Sequence, residues 1–217
     1  RNDYKTATQS YLLALKYDSS NTDNLLEVAT FLLNQHSGDL AKKYFDQLLS
    51  VTHTDHEKAV ALQNTGEAYR DAGAYEEAER YYPPAIKIFE QLYQKDPGEY
   101  RVAYTSTINQ FGSLYYDWEF YSIAGNYFKQ ADDIYVQAYD SLNNPAITDA
   151  ENLAWSDVLN NECMLDYKYK NYYAAMRLST FQAMPLLQKV AGKNPGLYVL
   201  RLARAFFNQG LSEFYLK

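Results

Sequence analysis

The 217-residue chain holds a single cysteine, Cys163, so no internal disulfide can close and packing alone must hold the fold. One free thiol fits a reducing compartment, and a cytoplasmic location is the expectation. Histidine is scarce as well: His36, His53 and His56 are all there is. His53 and His56, with Asp55 and Glu57 beside them, have the spacing of a weak metal pair. A structural site needs about four ligands, and an exposed helix start explains the stretch better. Positive charge is in deficit, Lys+Arg 20 against Asp+Glu 27, for a net charge of −7. That balance argues against a nucleic-acid backbone as partner. No apolar run is long enough to span a bilayer, so membrane insertion is not expected. Glycine-rich phosphate loops, zinc-protease motifs and nucleophile elbows are missing. The chain opens on Arg1 with neither a methionine nor a signal-peptide pattern, and reads as a processed form or the ordered part of a longer chain.

What the chain has in excess is aromatic surface, with 23 tyrosines and 10 phenylalanines. They recur in a pattern. From Ala59 to Phe89 the chain reads as two amphipathic helices, about Asp55 to Ala72 and onward from Tyr75, with Gly73 as a left-handed cap between them. Small residues at Gly66 and Ala78 let the two backbones approach, and Tyr69, Tyr82 and Ala85 fill the surroundings. The pattern returns 46 residues later as Gly112, Tyr115, Tyr121, Ala124, Phe128 and Ala131. It appears 37 residues earlier as Ala29, Leu32, Gly38, Ala41, Phe45 and Leu48. Tyr4, Ala7, Tyr11 and Ala14 preserve its second half at the N-terminus, and Phe206 and Gly210 its first half near the C-terminus. Between these, Cys163, Tyr172 and Ala175 fit while Asp166, Ser179 and Gln182 do not, as for a register one residue off. Asp96-Pro97-Gly98-Glu99-Tyr100 echoes in Asn194-Pro195-Gly196-Leu197-Tyr198, the same 98 residues that separate Gly112 from Gly210.

These residues resemble the tetratricopeptide repeat over nearly the whole chain. The resemblance implies an all-α fold, a right-handed superhelical array of antiparallel helix hairpins forming an α-solenoid. Residues 1–217 are read as one such domain. It comprises a half repeat at 1–20, repeats at 22–53, 54–97, 98–144 and 148–194, and a half repeat at 196–217. Thr22 is expected to cap the helix that follows it. Thr54 and Thr148, each with a glutamate three residues on, read as capping boxes. Pro83, Pro84 and Pro185 should break or distort their helices. Asp96-Pro97-Gly98 reads as a turn and Asn143-Asn144-Pro145 as a loop. The later helices must carry extra turns.

In this family the first helix of each hairpin lines a concave surface. The register then gives Gln63, Glu67 and Arg70, with Asn109, Ser113 and Tyr116, and Asn160, Met164 and Tyr167, as peptide-binding residues. Asp23, Leu26 and Val60 belong to the wider set. Gln63, Asn109 and Asn160 share one place in successive repeats, similar to the asparagine ladders of some superhelical relatives. As side-chain amides they could hold the backbone of an extended peptide; solvated polar residues are the plainer reading. The lysines by which some relatives grip a chaperone's C-terminal carboxylate are missing. Cys163, in the close-packing place of Gly66 and Gly112, is expected to be a small buried thiol and not a nucleophile.

The resemblance thus implies a non-catalytic protein–protein interaction scaffold that holds a peptide or protein segment. No cofactor and no metal are expected, and the protein is not expected to be an enzyme. The alternative is the sensory or regulatory portion of a larger signalling protein or enzyme. The final helix, about Gly196 to Tyr215, carries Phe206, Phe207, Leu211, Phe214 and Leu216. That is more apolar surface than a solvated cap would bear, so further repeats or a homo-oligomer through this helix are expected.

Overall fold

The computed structural model describes residues 10, 13, 15–139, 147–191 and 195–216, and among these there is no strand. Tyr4, Ala7, Tyr11 and Ala14 and the Asn143-Asn144-Pro145 loop lie outside the described residues. The chain forms two compact units, Arg1–Asp96 and Pro97–Lys217. The first contains α1 (Thr22–Asn34), α2 (Gly38–Ser50), α3 (Asp55–Asp71), α4 (Tyr75–Glu79) and α5 (Tyr82–Lys95). The second contains α6 (Pro97–Asp117), α7 (Tyr121–Tyr139), α8 (Asp149–Lys168) and α9 (Tyr172–Arg177). A π-helical turn (Leu178–Ala183), α10 (Met184–Ala191) and α11 (Pro195–Tyr215) complete it. The hairpins are α1 with α2 and α3 with α4–α5 in one unit. In the other they are α6 with α7 and α8 with α9–α10. Helices of the second unit are longer: α6 has 21 residues and α8 has 20, against 13 for α1.

The first helices of all four hairpins end in the same way. His36, Gly73, Glu119 and Lys170 adopt φ of 58°, 74°, 66° and 61°. After each, the next amide reaches back to a carbonyl five residues earlier: Ser37 to Leu32 (3.0 Å), Ala74 to Tyr69 (2.9 Å), Phe120 to Tyr115 (2.8 Å) and Asn171 to Asp166 (2.8 Å). This bonding satisfies carbonyls that the helix end would strand. Glycine supplies the left-handed residue only once. In the other three ends the chain tolerates a side chain there, which hides the repeat from a search for Gly.

At the helix starts, Thr54 and Thr148 form complete capping boxes with Glu57 and Glu151. Thr22 is not a cap. Asn21 is extended, and its Oδ1 accepts from the Asn24 amide at 2.9 Å, which makes Thr22 the first helical residue. Nor is Asp96-Pro97-Gly98 a free turn. Pro97 opens α6, as Pro195 opens α11, because a missing N–H is harmless in a first turn.

Pro83 and Pro84 act as expected. They cannot donate to the carbonyls of Glu79 and Arg80, so α4 stops and α5 restarts with proline in its first turn. Near Pro185 the distortion is a π turn, in which the Met184 amide bonds the Ser179 carbonyl. A π turn takes up one extra residue. Ala175 and Ser179 are buried on schedule, Gln182 is exposed, and Ala183, Leu187 and Val190 resume the buried stripe one place late. The misfit of Gln182 in the sequence is this turn.

The small-residue places are close contacts. A Cβ on Gly66 would stand 3.0 Å from the Tyr82 ring, and one on Gly112 would stand 2.6 Å from the Phe128 ring. Ala78 and Ala124 are fully buried. In the next hairpin the sizes trade: the larger Cys163 occupies the glycine place, and the smaller Ser179 the aromatic one.

Candidate functional site

In the first unit, Gln63, Glu67 and Arg70 stand at i, i+4 and i+7, which places them on one side of α3. All three are half-buried. The Arg70 guanidinium bonds Asp71 at 3.1 Å and lies 3.9 Å from Glu67. A shallow cleft of about 100 Å³ opens beside them. It is lined by Asp23, Leu26 and Val60 of the wider set and by Asn64, but by none of the three.

In the second unit, α6, α8 and α11 pack in sequence. Asn109 and Asn160 are 8% and 0% exposed, so neither can offer its amide to a peptide. Their oxygens accept from the next helix. Asn161 Nδ2 donates to Asn109 Oδ1 (2.9 Å) and to Ser113 Oγ (3.2 Å), and Asn208 Nδ2 donates to Asn160 Oδ1 (3.3 Å). Asn161 and Asn208 hold equivalent places in successive hairpins, one residue after the place of Asn109 and Asn160. The expected ladder of amides exists in this unit, but it binds helix to helix. This corrects the peptide-clamp expectation: both side chains are buried, and their oxygens are taken by donors from the neighbouring helix. Further along, Arg201 holds Asp157 through two bonds of 3.1 Å, and Arg204 donates to Asn161 Oδ1 at 2.9 Å.

The remaining predicted residues meet. Tyr116, Met164 and Tyr167 line one groove of about 280 Å³. Tyr172, Phe207, Leu211 and Tyr215 complete its apolar wall. Tyr172 stacks on Tyr215 with ring centres 4.6 Å apart, and the Tyr167 hydroxyl donates to the Asn208 carbonyl at 2.6 Å. Those contacts fix two aromatic walls by anchoring them on separate helices. One cation stands at the groove, Lys168, its ammonium 5.8 Å from the Tyr116 ring centre and 5.3 Å from that of Tyr121. Its bond with the Tyr121 hydroxyl, then its electrostatic attraction to the Tyr116 and Tyr121 phenol groups, hold its pKa above the usual lysine range.

As groove lining, sequence reasoning missed Lys168, Tyr172 and Tyr215, and it singled out Phe207 and Leu211 only as apolar surface of the last helix. Tyr172 starts the second helix of its hairpin, and a rule naming only first helices omits it. Phe207, Leu211 and Tyr215 lie on α11, which the register already gave as a first helix but whose groove-facing places were not carried over.

Cys163 is buried, its Sγ donates to the Ala175 carbonyl at 3.3 Å, and burial pushes the thiol up to about 12. A thiol so protonated is a poor nucleophile. His53 and Thr54 offer their backbone amides to Glu57, and the ring of His56 lies edge-on to Phe89. Among the described residues no group of three or more His, Cys, Asp or Glu could hold a metal ion, and no helix is long and apolar enough to cross a membrane.

One carboxyl departs strongly from its ordinary value. Burial, and then the carboxylates of Asp132, Asp166 and Asp133 against the opposing Lys129, push Glu162 up to about 8. The folded state therefore binds this proton more tightly than the unfolded chain, whose glutamates titrate near about 4.3. Stability should fall as pH rises between those values and level off above them. Glu162→Gln should remove that part of the slope and be more stable than wild type at pH 9, as read by urea denaturation across the pH range. Parallel profiles for both proteins would contradict the assignment.

No family model matches the chain, and no curated protein does. Solved structures do. BtubC (BKLC) from P. vanneervenii superposes with a TM-score of 0.64 at 14% identity, over 99% of this chain and 82% of its own. Aspartyl phosphate phosphatase F from Bacillus subtilis gives 0.58 at 16% identity, over 94% of this chain and 54% of its own. PilF of Pseudomonas aeruginosa gives 0.50 at 20% identity, over 99% and 82%. All three contain tetratricopeptide repeats. The fold is tetratricopeptide-like. Within it, α6, α8 and α11 take the places of first helices, and the groove of Tyr116, Met164 and Tyr167 lies among first-helix residues. At these identities the likeness concerns the fold alone.

Proposed function

We propose that this tetratricopeptide-like protein is a non-catalytic scaffold that holds a segment of another protein in the groove of its second unit. The observation that carries the reading is the groove's lining. It is built of four tyrosines, a phenylalanine, a methionine and a leucine, with one lysine and one asparagine. Tyrosine and other aromatics give large contact area at low entropy cost and dominate protein interfaces. Methionine adapts to varied partners. At about 280 Å³ the groove lies below the usual range for small-molecule sites, which favours capture of a few side chains over capture of a whole metabolite. Because Asn109 and Asn160 are buried inside the fold, partner side chains, not partner backbone, supply the main contacts. Lys168 favours a partner with an acidic residue beside its apolar anchor.

A random peptide library displayed against the intact protein tests this. Enriched peptides should carry a large apolar residue next to an acidic one. Met164→Glu and Leu211→Glu, each checked for native circular dichroism, should weaken them at least about tenfold, or about 1.4 kcal/mol. Peptides that bind wild type and both variants equally would place the binding surface elsewhere.

A further inference from the structure

We propose that α11 pairs with the α11 of a second copy of this chain, antiparallel and about a two-fold axis. Ala203, Phe207, Gly210 and Phe214 lie at i, i+4, i+7 and i+11, which is one stripe along a helix. All four are exposed, Phe207 at 66% and Phe214 at 71%, and a Cβ placed on Gly210 would meet nothing within 4 Å. Phe206 stands exposed beside the stripe. The helix's two described arginines turn to α8 instead, Arg201 to Asp157 and Arg204 to Asn161. No described charge therefore sits on the stripe.

The order of sizes along the stripe identifies the occupant. Read from either end, it alternates small and large: alanine, phenylalanine, glycine, phenylalanine. Laid antiparallel on itself, it sets Phe207 of one copy over Gly210 of the other, and Phe214 over Ala203. The two-fold axis repeats each contact, so four aromatic rings meet four small residues. This chain already closes its antiparallel helix pairs in that way, with Tyr82 over Gly66 and Phe128 over Gly112. A stripe carrying both ring and notch is self-complementary, as an isologous interface requires. A partner helix of another protein would need only one of the two.

Sedimentation velocity of the intact chain over a range of concentrations tests the pairing. Wild type should sediment at twice the chain's mass. Phe214→Glu, at a residue outside the groove lining, should be monomeric. Gly210→Leu is the sharper variant. It adds apolar surface at an exposed helical position and improves helix propensity, so the fold is retained. It should nevertheless be monomeric, because the notch is filled. A monomeric wild type overturns the proposal. So does a Gly210→Leu protein that associates more strongly than wild type, which would mark the face as merely sticky.

Discussion

Arg101→Met is expected to lose about 3–5 kcal/mol at neutral pH. Arg101 on α6 and Glu151 on α8 are both buried and form an ion pair between the two helices. Burial alone would push the Glu151 carboxyl up. The Thr148 amide and hydroxyl, with the Arg101 guanidinium, outweigh it and hold the carboxyl below its ordinary range. Removing the arginine leaves a buried carboxylate without its counter-charge, and that accounts for the magnitude. A folded pKa below the unfolded one gives stability that is present above the unfolded value and lost as pH falls through the folded one. The difference between wild type and Arg101→Met should therefore be widest near neutrality and shrink as pH falls through the lowered folded value of Glu151, below which the carboxyl is neutral in both. Arg101→Met with Glu151→Gln should recover most of the loss, since glutamine keeps the capping box and carries no charge. Urea titrations of the three proteins at several pH values measure this. A double variant no better than Arg101→Met would mean that the loss comes from packing alone.

Phe128→Ala should cost about 3–5 kcal/mol, the range for a fully enclosed ring. It should also change the sign of a second substitution. In wild type, a methyl on Gly112 would stand 2.6 Å from the Phe128 ring and 3.1 Å from Tyr127 Cβ. Overpacking of that kind costs about 1–3 kcal/mol, more than the roughly 1 kcal/mol that alanine gains over glycine in a helix. Without the Phe128 ring the clash is gone and only the 3.1 Å approach to Tyr127 Cβ is left, which a small shift into the vacated space relieves, so Gly112→Ala should stabilise the Phe128→Ala protein. Equal effects in the two backgrounds, by a double-mutant cycle, would show that the glycine and the ring are not the paired feature on which the repeat register rests.

The fold was legible because its contacts are local and recur. The Gly66, Gly112 and Cys163 places, the prolines in the second helices and the two capping boxes all mark positions where backbone geometry restricts the residue. Where the restriction relaxes, the sequence goes quiet. His36, Glu119 and Lys170 carry the same left-handed cap as Gly73, yet nothing in their side chains signals it. The π turn was visible only as a distortion expected at Pro185 and as the misfit of Gln182.

The site was half legible. Tyr116, Met164 and Tyr167 could be placed from the register because a first-helix face follows from helical spacing. Whether an amide on that face meets solvent or a neighbouring helix depends on helix separation, which the register does not contain. Asn160 was misread for that reason. The pair Asn160-Asn161, with Asn208 one hairpin later, was the available clue: adjacent asparagines that recur at the repeat offset can bond across helices.

The groove's role is most directly tested by hydrogen–deuterium exchange on the intact protein, with and without a library-selected peptide carrying an apolar and an acidic residue. Bound peptide should slow exchange in the backbone around Ser113–Tyr116, Met164–Lys168 and Phe207–Tyr215, and the slowing should vanish in Met164→Glu. Protection confined to other segments, or unchanged by Met164→Glu, would contradict the account.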